Sequence, residues 1–193
     1  PAGGVVGAAE IAKQQNIPKI LTLDMGGTST DTARFDGNYD YKYTTVVGDA
    51  QMLSPCFEIE TVAARGGSLC QFDGAKLTVG PESAGAFPGP ACYGAGGDLA
   101  ITDVNLLLGK LDASAMGIPI QVEAAKMKLE VLQAAILEEK GQQMSELEIL
   151  RGFEQIANEK MAEAIRKISV VKGFGPKEYS LLVFGGAGGL LAC

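Results

Sequence analysis

The stretch Leu21-Thr22-Leu23-Asp24-Met25-Gly26-Gly27-Thr28-Ser29-Thr30-Asp31 decides the fold. Lys19 to Asp24 is rich in apolar and β-branched residues and reads as a buried strand. Gly26-Gly27 breaks it with a tight turn, and Thr28 to Phe35 returns as a second strand. Asp36-Gly37-Asn38 turns the chain again, which makes Tyr39 to Val47 a third strand. Upstream, residues 1–15 read as a helix whose small residues permit close packing, and Asn16-Ile17-Pro18 stops it. Three consecutive antiparallel strands therefore follow one helix.

The turn has a direct chemical use. Two glycines bring backbone N–H groups close to an anion with no β-carbon in the way. Thr28, Ser29 and Thr30 add hydroxyl donors for phosphate oxygens. Asp24 and Asp31 are then placed to hold Mg²⁺ through water, or to orient an attacking water or hydroxyl. A bare Asp-x-Gly-Gly fits a plain hairpin whose Asp caps the turn. The full run, with three hydroxyls and a second Asp between two strands, favours the phosphate reading. No Walker P-loop is present, so that route to nucleotide binding is excluded.

Further along, residues 48–100 are dense in Gly and Pro, with short strands such as Phe57 to Ala63 and Lys76 to Val79. Gly80 to Gly94 reads as a long apolar loop without the composition of disorder, and such loops are usually functional or buried against a partner. Thr102-Asp103 is placed to cap a helix over Val104 to Lys110. Val122 to Glu139 is amphipathic, with Ala125, Leu129, Leu132 and Ile136 on one stripe. Ser145 with Glu148 forms a capping box opening a helix to about Val171. Tyr179 to Phe184 is a final strand, followed by Gly185-Gly186-Ala187-Gly188-Gly189. Two readings of that run are equally good: a bare-backbone nucleotide contact by Gly185, Gly186, Ala187 and Gly188, or close packing of strand and helix. The third small position of a dinucleotide fingerprint falls on Leu191, which argues against a Rossmann motif.

Composition bounds the function. The formal net charge is -7, which disfavours sequence-independent nucleic-acid binding. It leaves ATP open, because backbone N–H groups and metal ions hold phosphates. The absence of His removes Ser-His-Asp and Cys-His catalysis from these residues. The cysteines at 56, 70, 92 and 193 have no metal or redox spacing and read as reduced thiols of a cytoplasmic protein. No apolar run has the length of a membrane span. A start at Pro1 without Met, and an end inside a Gly-rich stretch, predict an internal piece of a longer protein.

Together these features resemble the actin-like ATPase superfamily, and more specifically the hydantoinase A/5-oxoprolinase family, with 5-oxoprolinase the nearer of the two. The resemblance runs nearly end to end. It rests on Pro1 to Ala8, Leu23 to Asp31, Thr61 to Ser68, Gly80 to Tyr93, Thr102 to Leu106 and Phe184 to Gly189. It implies an α/β fold, an actin-like (RNase H-like) lobe with a mixed sheet of three antiparallel strands flanked by helices. Residues 1–193 would be a single lobe, the second of two that clamp ATP, with the missing lobe elsewhere in the same polypeptide. The implied activity is ATP-dependent opening of a cyclic amide, 5-oxoproline or a hydantoin, through carbonyl phosphorylation. The alternatives are a non-catalytic ATP clamp or a subunit of a ketone carboxylase.

In the resembling enzymes ATP and Mg²⁺ are used, and K⁺ is a further candidate cation. A hydantoinase B-type domain or subunit is the implied partner. Asp24 and Asp31 become the catalytic carboxylates, with Asp24 the Mg²⁺ residue. Glu82 and Cys92, in the characteristic loop, become substrate candidates, against the simpler reading of a satisfied carboxylate and a buried thiol. Two departures stand out: Arg65 where family members usually have Gly, and Leu191 where they commonly have His.

Overall fold

In the computed structural model, which describes residues 1–27, 29–47, 49–62 and 65–190, helix α1 (Ala2–Gln14) lies on one face of a mixed sheet. The sheet is built on β1 (Ile20–Met25), which pairs antiparallel with β2 (Thr30–Phe35), as the hairpin reading requires. β3 (Tyr41–Val47) does not extend this sheet. It pairs with β4 (Ala50–Phe57) in a separate two-stranded sheet, a correction to the expected run of three consecutive strands. Antiparallel strands joined by a short connection pair readily with each other, so sequence proximity to β2 does not force pairing with it. The third antiparallel strand is instead β5 (Glu60–Val62), and β8 (Ser180–Phe184) joins on the other side, parallel to β1. The order is β5-β2-β1-β8.

A second small sheet pairs β6 (Ser68–Phe72) with β7 (Leu77–Ser83). β7 runs four residues further than expected, so Gly80 to Ser83 is strand and the irregular loop starts at Ala84. The remaining helices are α2 (Ile101–Leu107), α3 (Val122–Lys140) and α4 (Glu146–Ile168). In α4 the predicted capping box is formed: Ser145 Oγ accepts the Glu148 N–H (3.3 Å) and Glu148 Oε2 accepts the Ser145 N–H (2.7 Å).

Period-two alternation sends β1 side chains to two cores. Ile20, with Phe35 of β2 and Leu182 and Phe184 of β8, packs on Ala8, Ala9 and Ala12 of α1. Those alanines let the helix lie close to the sheet, and enclosing Phe35 alone contributes about 1.5–3 kcal/mol. Leu23 and Met25 face the other way, into the larger core with Leu129, Ile136, Ile149, Phe153 and Met161 of α3 and α4. Most of the stripe read from sequence is buried there, with Leu132 and Ile156 at its margin, while Ala125 packs on Cys92 and Leu106 instead. On the face away from α1, the Arg34 guanidinium is held by Asp40 (2.5 Å), Asp36 (2.5 Å) and the Tyr179 hydroxyl (3.0 Å), and lies 3.7 Å from the Phe174 ring centroid. This ties β2 to the chain entering β8, and so fixes the two strands that flank β1. No helix among the described residues is long and apolar enough to cross a membrane.

A candidate nucleotide-phosphate site

The hairpin loop spans residues 26–29 and is closed by the Gly26 N–H donating to the Ser29 carbonyl at 3.1 Å. Asp24 and Asp31 are direct cross-strand partners, and the row continues to Thr61 on β5 and Phe184 on β8. Register partners point to the same face, so Thr61, Asp31, Asp24 and Phe184 form a line across the sheet on the α1 side. The two carboxylates differ in environment. Asp31 is 7% exposed, and both its oxygens accept hydroxyl hydrogen bonds, from Ser29 (3.0 Å) and Thr61 (2.5 Å). Asp24 is half-buried, and none of the described hydrogen bonds or ion pairs engages its carboxylate.

Two backbone segments close around Asp24. Its Oδ2 is 3.5 Å from where a β-carbon at Gly4 would stand, which brings the first turn of α1 to the carboxylate. Its Oδ1 is 2.7 Å from the same point at Gly185, where the backbone takes φ +86°. A side chain at 185 would also meet the Met25 carbonyl oxygen at 2.5 Å. Only glycine satisfies both the left-handed backbone and that approach. The Ala187 N–H then donates to the Met25 carbonyl (2.9 Å), locking the turn after β8 onto the end of β1. Gly185 and Gly186 are exposed, with nothing within 4 Å of the side-chain position at Gly186, so this turn is a bare backbone ledge beside the hairpin. Gly188 is buried against Val183 and serves packing. The packing reading of the run holds at Gly188, and Gly185 and Gly186 leave room for the backbone contact that the other reading requires.

Other sequence candidates fall elsewhere. Thr30 is fully buried within β2, and Thr28 lies outside the described residues. Glu82 is exposed near the end of β7. Cys92 is fully buried against Leu106 and Ala125, and burial, then the neighbouring Asp103, pushes its thiol above the ordinary range. Such a thiol is a core group and not a nucleophile. Among the described residues no three His, Cys, Asp or Glu side chains gather as a metal cage.

The structure adds residues that the sequence reading left without a role. Gly66 and Gly67 lie against the hairpin: a β-carbon at Gly67 would be 3.1 Å from the Gly27 carbonyl oxygen and 3.0 Å from Ser83 Oγ. Thr102 donates both its N–H (2.8 Å) and its hydroxyl (3.0 Å) to the Gly66 carbonyl. Asp103, read as a cap, does more than cap. It accepts the Ala100 N–H (2.8 Å) at the start of α2, and also the N–H groups of Ala91 (3.1 Å) and Cys92 (2.8 Å) from the loop. Between loop and hairpin is a cavity of 290 Å³ lined by Gly27, Gly67, Gly85, Ala86, Pro90, Tyr93 and Thr102. The Gly-Gly pair after Arg65 was the available signal for this wall. A larger cavity of 480 Å³ between β6 and α3 shares none of these residues.

The family model for hydantoinase/oxoprolinase matches residues 1–193. The 5-oxoprolinase PfmaA of Pestalotiopsis fici is 44% identical over 203 residues, covering 100% of this chain and 16% of that protein. The chain thus spans about one sixth of such a relative's length. The crystal structure of the ATP-dependent caprolactamase from Pseudomonas jessenii superposes with a TM-score of 0.80 at 33% identity, covering 94% of this chain and 26% of that one. A nucleotide-free acetone carboxylase superposes with a TM-score of 0.83 at 23% identity, covering 97% and 27%, which shows a shared fold.

Proposed function

The chain belongs to the hydantoinase/oxoprolinase family, and from that premise we propose that it supplies one ATP-binding lobe of an ATP-dependent cyclic-amide hydrolase. One observation carries the reading. Asp24 presents an unengaged carboxylate between the Gly26-Gly27 turn and the Gly185-Gly186 ledge, while Asp31 opposite it is locked by two hydroxyls. The relatives support the class: one is a 5-oxoprolinase and another an ATP-dependent caprolactamase, and both names denote opening of a ring amide. The second ATP-binding lobe, and a hydantoinase B-type partner, belong to the same proposal.

The residues present fit this role. The Gly27 N–H, beside the Gly26–Ser29 bond that closes the turn, would meet phosphate oxygens with nothing within 4 Å of its side-chain position to obstruct them. The Gly185-Gly186 ledge meets the nucleoside end through bare backbone. Mg²⁺ would be held by Asp24 through water and by the phosphates, the usual arrangement for a cation that keeps its hydration shell. When bound it neutralises charge on the transferring phosphoryl group. A lactam carbon is a poor electrophile, and phosphorylation of its carbonyl oxygen supplies the leaving group that water attack needs.

The test is ATP consumption by the complete polypeptide, with its partner, against 5-oxoproline, hydantoin, caprolactam and a simple ketone. Turnover dependent on a cyclic amide, lost by about 10²-fold or more in Asp24→Asn, is the expected result. ATP turnover indifferent to every cyclic amide, or a fully active Asp24→Asn enzyme, refutes the proposal.

A further inference from the structure

We propose that the 290 Å³ cavity between the hairpin and the loop at 84–93 is the subsite for the ring of the substrate, and that it accepts a small uncharged cyclic amide. This deepens the function proposed above and rests on it.

The first argument is position. The cavity shares Gly27 with the phosphate turn, and Gly67, on its wall, packs directly on the Gly27 carbonyl. A ring held there has its carbonyl next to the phosphate-binding turn, where phosphoryl transfer needs the two reactants in contact. The second argument is rigidity. The Asp103 carboxylate pins the N–H groups of Ala91 and Cys92, the Ala84 N–H donates to the Gly67 carbonyl (2.8 Å), and the Gly89 N–H donates to the Ala84 carbonyl (3.1 Å). Tyr93 is braced against Gly89, where a β-carbon would meet its ring at 2.6 Å. The wall is therefore preformed, as small-ligand pockets generally are.

The third argument is chemistry. Among the described residues the lining has no charged side chain, one aromatic ring and two hydroxyls, those of Tyr93 and Thr102. The Thr102 hydroxyl has its hydrogen committed to the Gly66 carbonyl, so Oγ1 is left with acceptor lone pairs, which suit an amide N–H. The volume lies just below the range of about 300–1,000 Å³ common for ligand pockets, which matches a single small ring. The 480 Å³ groove between β6 and α3 is larger, yet it is rimmed by Asp73, Asp98 and Lys128 and has no residue at the hairpin.

The experiment sets the two cavities against each other in the complete enzyme. Ala86→Leu narrows the proposed subsite at an exposed loop position, and Val131→Trp fills the larger groove. The Michaelis constants for amide and for ATP are measured for each, with caprolactam and hydantoin as the amides. Ala86→Leu should raise KM for the amide about tenfold or more while KM for ATP stays put, and Val131→Trp should change neither. An Ala86→Leu enzyme with unaltered amide KM, an equal rise in both constants, or an amide effect from Val131→Trp instead, overturns the subsite. Wild-type enzyme that turns over ATP with 5-oxoproline, an anionic ring, but ignores both neutral amides overturns the subsite, whereas ATP turnover that ignores all three overturns the parent reading, a failure visible before any variant is made.

Discussion

Replacing Asp103 with Ala should release the loop at 91–93 from α2, and the size of the effect follows from its bonds. Three backbone N–H groups converge on this fully buried carboxylate, from Ala91, Cys92 and Ala100. The Ala91 N–H has a second acceptor in the Asp98 carbonyl (3.1 Å), so the substitution leaves two of the three donors unpaired. Each buried orphan costs about 1–3 kcal/mol, giving about 4 kcal/mol for two. At about 1.4 kcal/mol per tenfold, amide hydrogen exchange at Cys92 and Tyr93 should accelerate by about 10³-fold. The control is Asp98→Ala, which removes an exposed ion pair with Lys128 (2.7 Å) and should cost under about 1 kcal/mol. Exchange within tenfold of wild type in Asp103→Ala, or equal acceleration in the control, would show that Asp103 does not hold the loop.

Two further outcomes are expected. Gly185→Ala should weaken ATP binding, measured by calorimetry, and should destabilise the lobe by more than about 1 kcal/mol, because the new methyl meets the Met25 carbonyl and Asp24 at a left-handed backbone position. The thiols of Cys70 and Cys92 are both pushed up, first by burial and then by Asp103. The folded state therefore holds these protons more tightly than the unfolded chain. Their contribution is complete below the unfolded thiol range of about 8.5 and declines as pH rises beyond it, by about 1.4 kcal/mol per pH unit for each thiol. Stability followed from pH 7 to 10.5 should fall more steeply in wild type than in a Cys70→Ala, Cys92→Ala double variant.

Local rules made part of this legible. The hairpin at Gly26-Gly27, the capping box at Ser145 and the stripes of α3 and α4 are short-range patterns, and each appears where it was read. Strand partners are not short-range. Tyr41–Val47 and Glu60–Val62 are both plausible neighbours of β2, and only tertiary packing selects the three-residue strand over the seven-residue one. The cavity was illegible for the same reason. Gly27, Gly67, Tyr93 and Thr102 are spread over 76 positions, and nothing in their spacing says that they share a wall. Asp103 shows the intermediate case, since its capping bond to Ala100 is local but its two bonds into the loop cross eleven and twelve residues.

The aspartate pair is where structure refines the chemistry most. Read as a sequence, Asp24 and Asp31 were equivalent candidates. The two carboxylates stand opposite each other on adjacent strands, an arrangement that favours partners for each. Hydroxyl donors from Ser29 and Thr61 supply them on one side only and fix the Asp31 side chain. Asp24 is left to find its compensation from a ligand, and the nearest cationic candidate in this chemistry is hydrated Mg²⁺. In the proposed reading the asymmetry divides the labour: Asp31 would position the turn through Ser29, and Asp24 would meet the metal-nucleotide. Thr61, three strands away from Phe184 in the same row, would on that reading act on the site only through its hydroxyl bond to Asp31.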